Sequence, residues 1–255
     1  MSCSPQPPIP PHAIVSNNPC IDAILAEIAA PGQIGAVSVW SQDAASASAP
    51  LAWARRLPAL GTSAEEIIAA RPRLVLTGNL SSIGTNVALA RAGVETLTIG
   101  VPASVEESKQ QVMQVARGIG RETAGAALVA RISGATHPQG ATRASAIIWQ
   151  SGGFVPGKGT LQDELLTRAG FRNASATYGL KQWDQLPLET LLRNPPQVIF
   201  MPASAVGDDG RALAARARLL GHLKGQTRIV PFPDKLLLCG GPTIPEAMHI
   251  MRGAL

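Results

Sequence analysis

Short aliphatic runs and segments with helical spacing alternate along the first half of the chain. The predicted strands lie at residues 13–16, 34–40, 58–61, 74–77 and 95–99, and the predicted helices at 20–30 and 81–92. Strands that alternate with helices pair in parallel, because each helix crosses the sheet to reach the next strand. The pattern therefore predicts an α/β fold with a small, mainly parallel sheet in this half.

One pattern of apolar and polar residues occurs twice. Residues 65–76 and 189–200 each contain a glutamate, two aliphatic residues, a proline and a run of aliphatic residues, and their glutamates are 124 positions apart. Because proline ends a helix, each copy predicts a short helix followed by a buried parallel strand. Equivalent units in the two halves indicate two similar α/β lobes with a ligand cleft between them. The alternative is chance recurrence of a unit that is common in α/β proteins.

Residues 104–133 contain no proline and carry an apolar face with helical spacing. A continuous helix over this segment would span about 45 Å at 1.5 Å per residue, which is too long for a crossover inside a small domain. The segment therefore predicts one long helix that joins the two lobes. Gly118, Gly120 and Gly125 lower the helix propensity and would permit a break.

The second half repeats the alternating pattern after a linker at residues 137–140. It predicts strands at 143–150 and 228–232, a glycine-rich loop at 151–159, and helices at 161–169, 209–220 and 242–252. The predicted organisation is a disordered lead-in at 1–12, an N-terminal lobe at 13–102, a connecting helix at 103–133 and a C-terminal lobe at 134–255.

The composition of the 255 residues, 45% hydrophobic and 15% charged, supports a substantial core, and no run of 18 apolar residues would cross a membrane. The net charge of +5 comes from scattered arginines and not from a basic stripe interleaved with aromatic residues. This pattern argues against nucleic-acid binding and leaves a weak preference for an anionic ligand. The first residues lack the charged and apolar regions of an export signal.

The motifs that suggest enzymatic chemistry are incomplete. Residues 152–158 match the core of a phosphate-binding loop, but Gly159 stands where the metal-binding hydroxyl belongs and Pro156 removes a backbone donor. The histidines have no metal-ligand spacing: His12, His137, His222 and His249. We therefore expect no enzyme, no metal site and no resident cofactor, and interpret the glycine-rich loop as a lip at the end of a strand.

Large aromatic side chains outside the predicted core are candidate ligand contacts. Trp40 follows a predicted strand of the first lobe, and Trp183 precedes the second glutamate motif by six residues. Flat rings suit a large, flat or chelated ligand. We therefore expect Trp40 and Trp183 to face a ligand, whereas burial in the core is as good an explanation for Trp53 and Trp149.

The order of these parts, from about residue 13 to residue 252, resembles the helical-strut class of periplasmic substrate-binding proteins of ABC importers. That family handles cobalamin, heme and ferric siderophores. The segments that carry the resemblance are Ile14–Cys20, Glu65–Leu76, Pro102–Ile132, Gly153–Asn173 and Leu186–Ile199.

The resemblance implies a periplasmic, monomeric protein that captures a metal chelate and delivers it to a permease dimer in the membrane. The chelate would be a corrinoid or a ferric siderophore, with heme as a further member of the class. The residues that the resemblance and the aromatic pattern together place against the ligand are Trp40, Trp183, Phe154, Tyr178, Asn17, Asn18, Gly153 and Gly241.

The same resemblance implies that Glu65 and Glu189, one exposed on each lobe, dock onto arginines of the permease. A glutamate in the first turn of a helix also complements the helix dipole, and that explanation needs no partner.

Three cysteines show no metal-ligand spacing and no disulfide framework. The resemblance places Cys20 and Cys239 in cleft loops of opposite lobes, where they would be small buried apolar residues. A disulfide between them is not expected, since it would prevent movement across the cleft. The alternatives to an importer component are a two-lobed α/β metal- or metallocluster-binding enzyme or scaffold, and a transport protein for free metal ions, which would need several histidine and carboxylate ligands.

Overall fold

The computed structural model describes residues 9, 13–44, 46–78, 83–140, 144–202, 221, 223, 225–233 and 235–255. The chain divides into two compact units, which it enters alternately. Unit 1 comprises Met1–Pro102, Glu106–Ile132 and Leu238–Thr243, and unit 2 comprises Ala103–Val105, Ser133–Leu237 and Ile244–Leu255. The predicted helix at 209–220 and nearly all of the predicted lead-in at 1–12 lie outside the described residues. Within the described ranges, no helix has the length and apolar character needed to cross a membrane.

Unit 1 contains a parallel sheet of five strands in the order β3-β2-β1-β4-β5. The strands are β1 (Ile14–Ser16), β2 (Ile34–Ser38), β3 (Ala59–Leu60), β4 (Leu74–Gly78) and β5 (Thr96–Ile99). Every residue of β1, β2 and β4 is buried. Burial of both faces explains why these strands appear in the sequence as aliphatic runs and not as an alternation of apolar and polar residues.

Unit 1 contains four described α-helices and one 3-10 turn before residue 104, and the first of these helices is capped by its neighbouring side chains. They are α1 (Pro19–Ile28), a 3-10 turn (Val39–Gln42), α2 (Leu51–Ala54), α3 (Ala64–Ala69) and α4 (Ile83–Arg91). Pro19 opens α1, and the Asn18 side chain accepts hydrogen bonds from the backbone N–H groups of Cys20 (2.9 Å) and Ile21 (3.2 Å). The first copy of the repeated pattern folds as predicted, with α3 ending before Pro72 and β4 following it.

The prediction of one continuous helix over 104–133 is wrong. The segment forms two helices of 14 residues each, α5 (Val105–Gly118) and α6 (Glu122–Ala135). Gly120 lies between them with φ of +67°, a left-handed conformation that glycine adopts without strain and that ends a helix.

The two helices also pack against each other and against the rest of unit 1. A side chain at Gly125 of α6 would collide with the Ala116 methyl group of α5, so the glycine permits the close approach. Between the helices, the Ile119 carbonyl accepts a hydrogen bond from the Gln33 side chain (2.6 Å), and the Arg121 side chain donates to the Ile28 carbonyl (2.9 Å). Residues Glu106–Ile132 accordingly belong to unit 1.

Unit 2 contains a parallel sheet of four strands, in the order β11-β10-β6-β8, and a separate antiparallel ribbon of β7 and β9. The strands are β6 (Ser145–Ile148), β7 (Phe154–Pro156), β8 (Arg172–Asn173), β9 (Trp183–Gln185), β10 (Val198–Met201) and β11 (Arg228–Pro231). The buried side chains of the core cluster beneath the ribbon are Ile147, Trp149, Val155, Ala174, Leu186, Leu191, Ile199 and Leu223. Trp149 is therefore a core residue.

The described helices of unit 2 are α7 (Leu161–Ala169), α8 (Leu188–Arg193), α9 (Lys235–Leu238) and α10 (Ile244–Arg252), with 3-10 turns at Ser151–Gly153 and Ala174–Tyr178. A third 3-10 turn, Gly241–Thr243, belongs to unit 1. The second copy of the repeated pattern is α8, two prolines and β10. The predicted fold class, α/β with two small and mainly parallel sheets, is confirmed.

Cys20 and Cys239 form a disulfide, contrary to the expectation from the sequence. The two residues do not come from opposite lobes, because Leu238–Thr243 belongs to unit 1 although its flanking residues belong to unit 2. A hydrogen bond from the Gly241 N–H to the Ser108 hydroxyl (2.6 Å) holds this segment beside α5. The cysteines are 219 positions apart in sequence and their Cα atoms are 5.1 Å apart, so the sequence spacing gave no sign of the pairing.

Candidate functional site

The carboxyl ends of parallel strands meet at one edge of a sheet, and the loops that follow them form the usual ligand-binding edge of an α/β unit. In unit 1 these loops begin with Asn17 after β1, Val39 after β2 and Gly100 after β5. The candidate site of unit 1 is built on this edge.

Asn17 and Asn18 occupy the loop after β1 in different ways. The Asn18 side chain is engaged in capping α1, and its amide nitrogen lies so close to Gly78 that a larger residue at position 78 would collide with it. Asn17 is 5% exposed, and its side-chain oxygen and nitrogen have no hydrogen-bond partner among the described residues. Of the two predicted ligand contacts, Asn18 caps α1, whereas the side-chain amide of Asn17 forms no hydrogen bond with the described residues.

Trp40 lies in the 3-10 turn after β2 and is 53% exposed. Its backbone is fixed at both ends: the N–H donates to the Ser38 hydroxyl (3.3 Å), and the carbonyl accepts from the Ser46 hydroxyl (2.7 Å). A large apolar ring held in this way at the ligand-binding edge is available for stacking.

Asp22 lies beneath this turn and is fully buried. One of its carboxylate oxygens, Oδ2, accepts hydrogen bonds from the Ser38 backbone N–H (2.8 Å) and the Ser41 hydroxyl (2.6 Å). Burial raises the pKa of Asp22 from 3.8 to about 7, and hydrogen bonds from Ser16, Ser41 and Ser38 oppose that rise. Asp22 is not among the site residues predicted from the sequence, although a carboxylate among the buried aliphatic residues of α1 was a detectable signal.

The Cys20–Cys239 disulfide lines a cavity of about 50 Å³ in unit 1, together with Gln111, Gly78 at the end of β4, and the residues that follow β5. The cavity has room for a few water molecules and not for a large ligand. Gly241, a predicted ligand contact, is buried beside it, and a side chain at that position would meet Ile24 and Val112. Gly241 therefore serves packing in unit 1.

In unit 2 the β7–β9 ribbon presents two exposed aromatic rings. Phe154 pairs with Gln185 and Trp183 pairs with Pro156, so the side chains of these four residues lie on one face of the ribbon. Phe154 is 43% exposed and Trp183 is 48% exposed. The structure thus brings two of the predicted contacts together on one surface.

A buried side chain holds the ribbon on unit 2, and close backbone packing joins its two arms. Val155 points to the opposite face and is buried in the core cluster, and the Gly153 carbonyl accepts a hydrogen bond from the Leu186 N–H (2.9 Å). Gly153 has φ of +82°, and at Gly157 a side chain would collide with the Lys181 carbonyl oxygen. The glycine-rich segment that the sequence analysis interpreted as a lip is therefore partly a strand with a defined exposed face.

Tyr178 differs from the other predicted aromatic contacts. Its ring packs against the core cluster of unit 2, and its hydroxyl donates to the Asn194 carbonyl (2.6 Å). Burial raises the pKa of Tyr178, and the positive charge of Arg172 opposes that rise. With its hydroxyl engaged and its ring against the core, Tyr178 supports the fold around the ribbon.

Glu65 and Glu189 both lie in the first turn of a short helix and are exposed, Glu65 on α3 and Glu189 on α8. Neither forms an ion pair with another residue that the structure describes. The repeated pattern thus begins, in each unit, with a carboxylate that faces solvent.

These features describe a chain of two α/β units with exposed aromatic rings, Trp40 at the ligand-binding edge of unit 1 and Phe154 and Trp183 on the ribbon of unit 2. The family model of the periplasmic binding proteins matches residues 14–220, and the chain belongs to that family. It is therefore a binding protein and not an enzyme.

Solved structures share the fold at low sequence identity. The heme-binding protein RhuT from Roseiflexus sp. RS-1 is similar with a TM-score of 0.73 and 22% identity, covering 96% of this chain and 97% of that one. The heme-binding protein HutB of Vibrio cholerae is similar with a TM-score of 0.72 and 17% identity, covering 95% of this chain and 99% of that one. A heme-binding protein from Pseudomonas aeruginosa has a TM-score of 0.71 and 19% identity, covering 96% of this chain and 92% of that one. A comparison with curated protein sequences gives no match.

Proposed function

We propose that the protein captures a metal chelate whose metal is already fully coordinated, a corrinoid or a ferric siderophore, and delivers it to an ABC permease dimer. The observation that carries this proposal is the exposed aromatic face of the ribbon, Phe154 with Trp183, to which Trp40 adds an exposed ring on unit 1. Apolar rings on a rigid support bind flat or bulky chelates through stacking and burial.

Some of the candidate metal ligands in the described part of the chain are already engaged in the fold, which is more compatible with a chelate that brings its own coordination. Heme iron takes an axial ligand such as tyrosine, histidine or cysteine from the protein. The Tyr178 hydroxyl is bonded to Asn194, and Cys20 and Cys239 are joined in a disulfide. His137, after α6, and His249, on α10, are exposed, whereas His12, His222 and Cys3 lie outside the described residues.

Heme remains the second candidate, because the similar structures RhuT and HutB are named as heme-binding proteins. Transport of free metal ions has less support: among the residues that the structure describes, no group of three histidine, cysteine or carboxylate side chains is arranged to hold an ion.

The disulfide supports a periplasmic location for this chain, as in the family. Disulfides form and persist in oxidising compartments such as the bacterial periplasm and are rare in the cytosol. The Cys20–Cys239 bond therefore fits a protein that folds after export.

Replacement of Trp183 tests the ligand-binding face. Trp183→Ala is expected to weaken cyanocobalamin binding by about 1–3 kcal/mol in a calorimetric titration, because a stacking ring is lost. The matched control is Trp53→Ala, since Trp53 lies on α2 beside the residues that precede β2, away from the carboxyl edge. Equal affinities of wild type and Trp183→Ala would remove this residue from the site, and a wild type that binds neither corrinoids nor siderophores would overturn the proposed ligand class.

The exposed glutamates support a docking role in the importer. We expect Glu65→Ala combined with Glu189→Ala to leave chelate affinity unchanged and to abolish uptake by cells that carry the cognate permease, because these carboxylates set the register of docking. Glu95→Ala with Glu122→Ala, two exposed carboxylates elsewhere on unit 1, is the control pair. Normal uptake by the Glu65 and Glu189 double variant would show that these residues only complement their helix dipoles.

A further inference from the structure

Asp22 is a buried carboxyl group that is hydrogen-bonded to the ligand-edge turn after β2 of unit 1. Its α1 position places the carboxyl group beneath the end of β2, where Oδ2 accepts hydrogen bonds from Ser38 and Ser41, and Oδ1 has no hydrogen-bond partner among the described residues. A buried carboxyl group loses its hydration, so a purely structural position would be filled at lower cost by an apolar residue.

The two hydrogen-bond partners of Asp22 flank Trp40 in the sequence. Ser38 precedes Trp40 by two residues and gives its backbone N–H to Oδ2, and Ser41 follows Trp40 directly and gives its hydroxyl to the same oxygen. The Ser38 hydroxyl then accepts the Trp40 N–H. A single carboxylate oxygen therefore fixes the turn on both sides of the exposed ring.

Direct contact between Asp22 and a ligand is excluded by geometry, because the side chain has no exposed surface. The turn Val39–Gln42 is only four residues long, and short 3-10 turns have poorer hydrogen-bond geometry than α-helices. Without the carboxylate, the turn would lose two of the bonds that fix Trp40.

We propose that Asp22 is a positioning residue, which holds the Val39–Gln42 turn so that the Trp40 ring is already in its binding orientation before the chelate arrives. A ring held in place loses less conformational entropy when the ligand binds, so the carboxylate raises affinity without touching the ligand. The inference rests on the proposed role of Trp40 as a ligand contact.

The first test needs no ligand. In protein labelled with 5-fluorotryptophan, the fluorine NMR resonance of Trp40 is identified by its loss in Trp40→Phe. Asp22→Ala is expected to shift and broaden this resonance and to leave that of Trp53 unchanged. Asp22→Asn, whose side-chain oxygen still accepts from Ser38 and Ser41, is expected to restore the wild-type resonance.

Glu27→Gln removes a carboxylate from the same helix, where it is ion-paired with Arg131, and is the matched control. If Asp22→Ala does not fold, Ser41→Ala removes one of the two bonds and is expected to shift the Trp40 resonance in the same sense. An unchanged Trp40 resonance in a folded Asp22→Ala or Ser41→Ala variant would overturn the positioning role.

The second test is a double-mutant cycle with cyanocobalamin as the probe. Trp40→Ala is expected to weaken binding about 5–150-fold, the range that corresponds to a stacking contact. Asp22→Ala should weaken binding by no more than Trp40→Ala, and the double variant should bind as Trp40→Ala alone does, because Asp22 acts through the ring. Fully additive losses would contradict the proposal.

The two tests separate this inference from the proposed function. If wild-type protein does not bind cyanocobalamin, the choice of a corrinoid fails, and the ligand-free NMR comparison still decides whether Asp22 positions Trp40.

Discussion

Asp22 also affects how stability depends on pH. Its folded-state pKa is raised from 3.8 to about 7, and the cause is burial, opposed only by neutral hydrogen-bond donors. Between these two pKa values the folded protein keeps a proton that the unfolded chain releases. The contribution of Asp22 to stability is therefore full below the unfolded-state pKa and is lost as the pH rises toward 7.

Asp22→Asn isolates this effect, because the amide has nearly the same shape and cannot ionise. We expect the variant to gain stability relative to wild type by about 3 kcal/mol between about pH 5 and about pH 8, measured by urea unfolding at both pH values. Glu27→Gln should show no such pH-dependent difference. A constant difference between wild type and Asp22→Asn across the same range would show that the pKa of Asp22 is not raised.

At the scale of elements, the strands were predictable because they are buried on both faces. The aliphatic runs in the sequence predicted β1, β2 and β4, and the prolines after α3 and α8 predicted where the helix of each repeat copy ends. Such signals are local, so they need no knowledge of the partner strands.

The helix break and the β7–β9 ribbon were not predicted, because neither has a clear local signal in the sequence. Residues 104–133 have an unbroken apolar pattern, and the break depends on a left-handed glycine and on close packing of Gly125 against Ala116. The β7–β9 ribbon has strands of three residues each, which is too short for an alternation to be detected.

Part of the candidate site was predictable because its signals are local in the sequence. Exposed aromatic residues at strand ends are visible in a sequence, and Trp40, Phe154 and Trp183 are indeed exposed. The packing roles of Gly241 and Tyr178 depend on tertiary neighbours that no local pattern reveals.

At the scale of the whole molecule, the chain enters unit 1 three times, and the last passage is the short segment Leu238–Thr243. The Cys20–Cys239 disulfide joins that passage covalently to α1. The chain belongs to the periplasmic binding protein family, and this covalent bond supports the periplasmic location that we propose for it.

Native mass spectrometry of the purified protein, mixed with equimolar cyanocobalamin, cobinamide, heme and a panel of ferric siderophores, tests the central claim most directly. The account predicts a complex of one chain with one intact corrinoid or ferric siderophore, selected over heme. A complex with heme alone, with a bare metal ion, or with none of the chelates would contradict it.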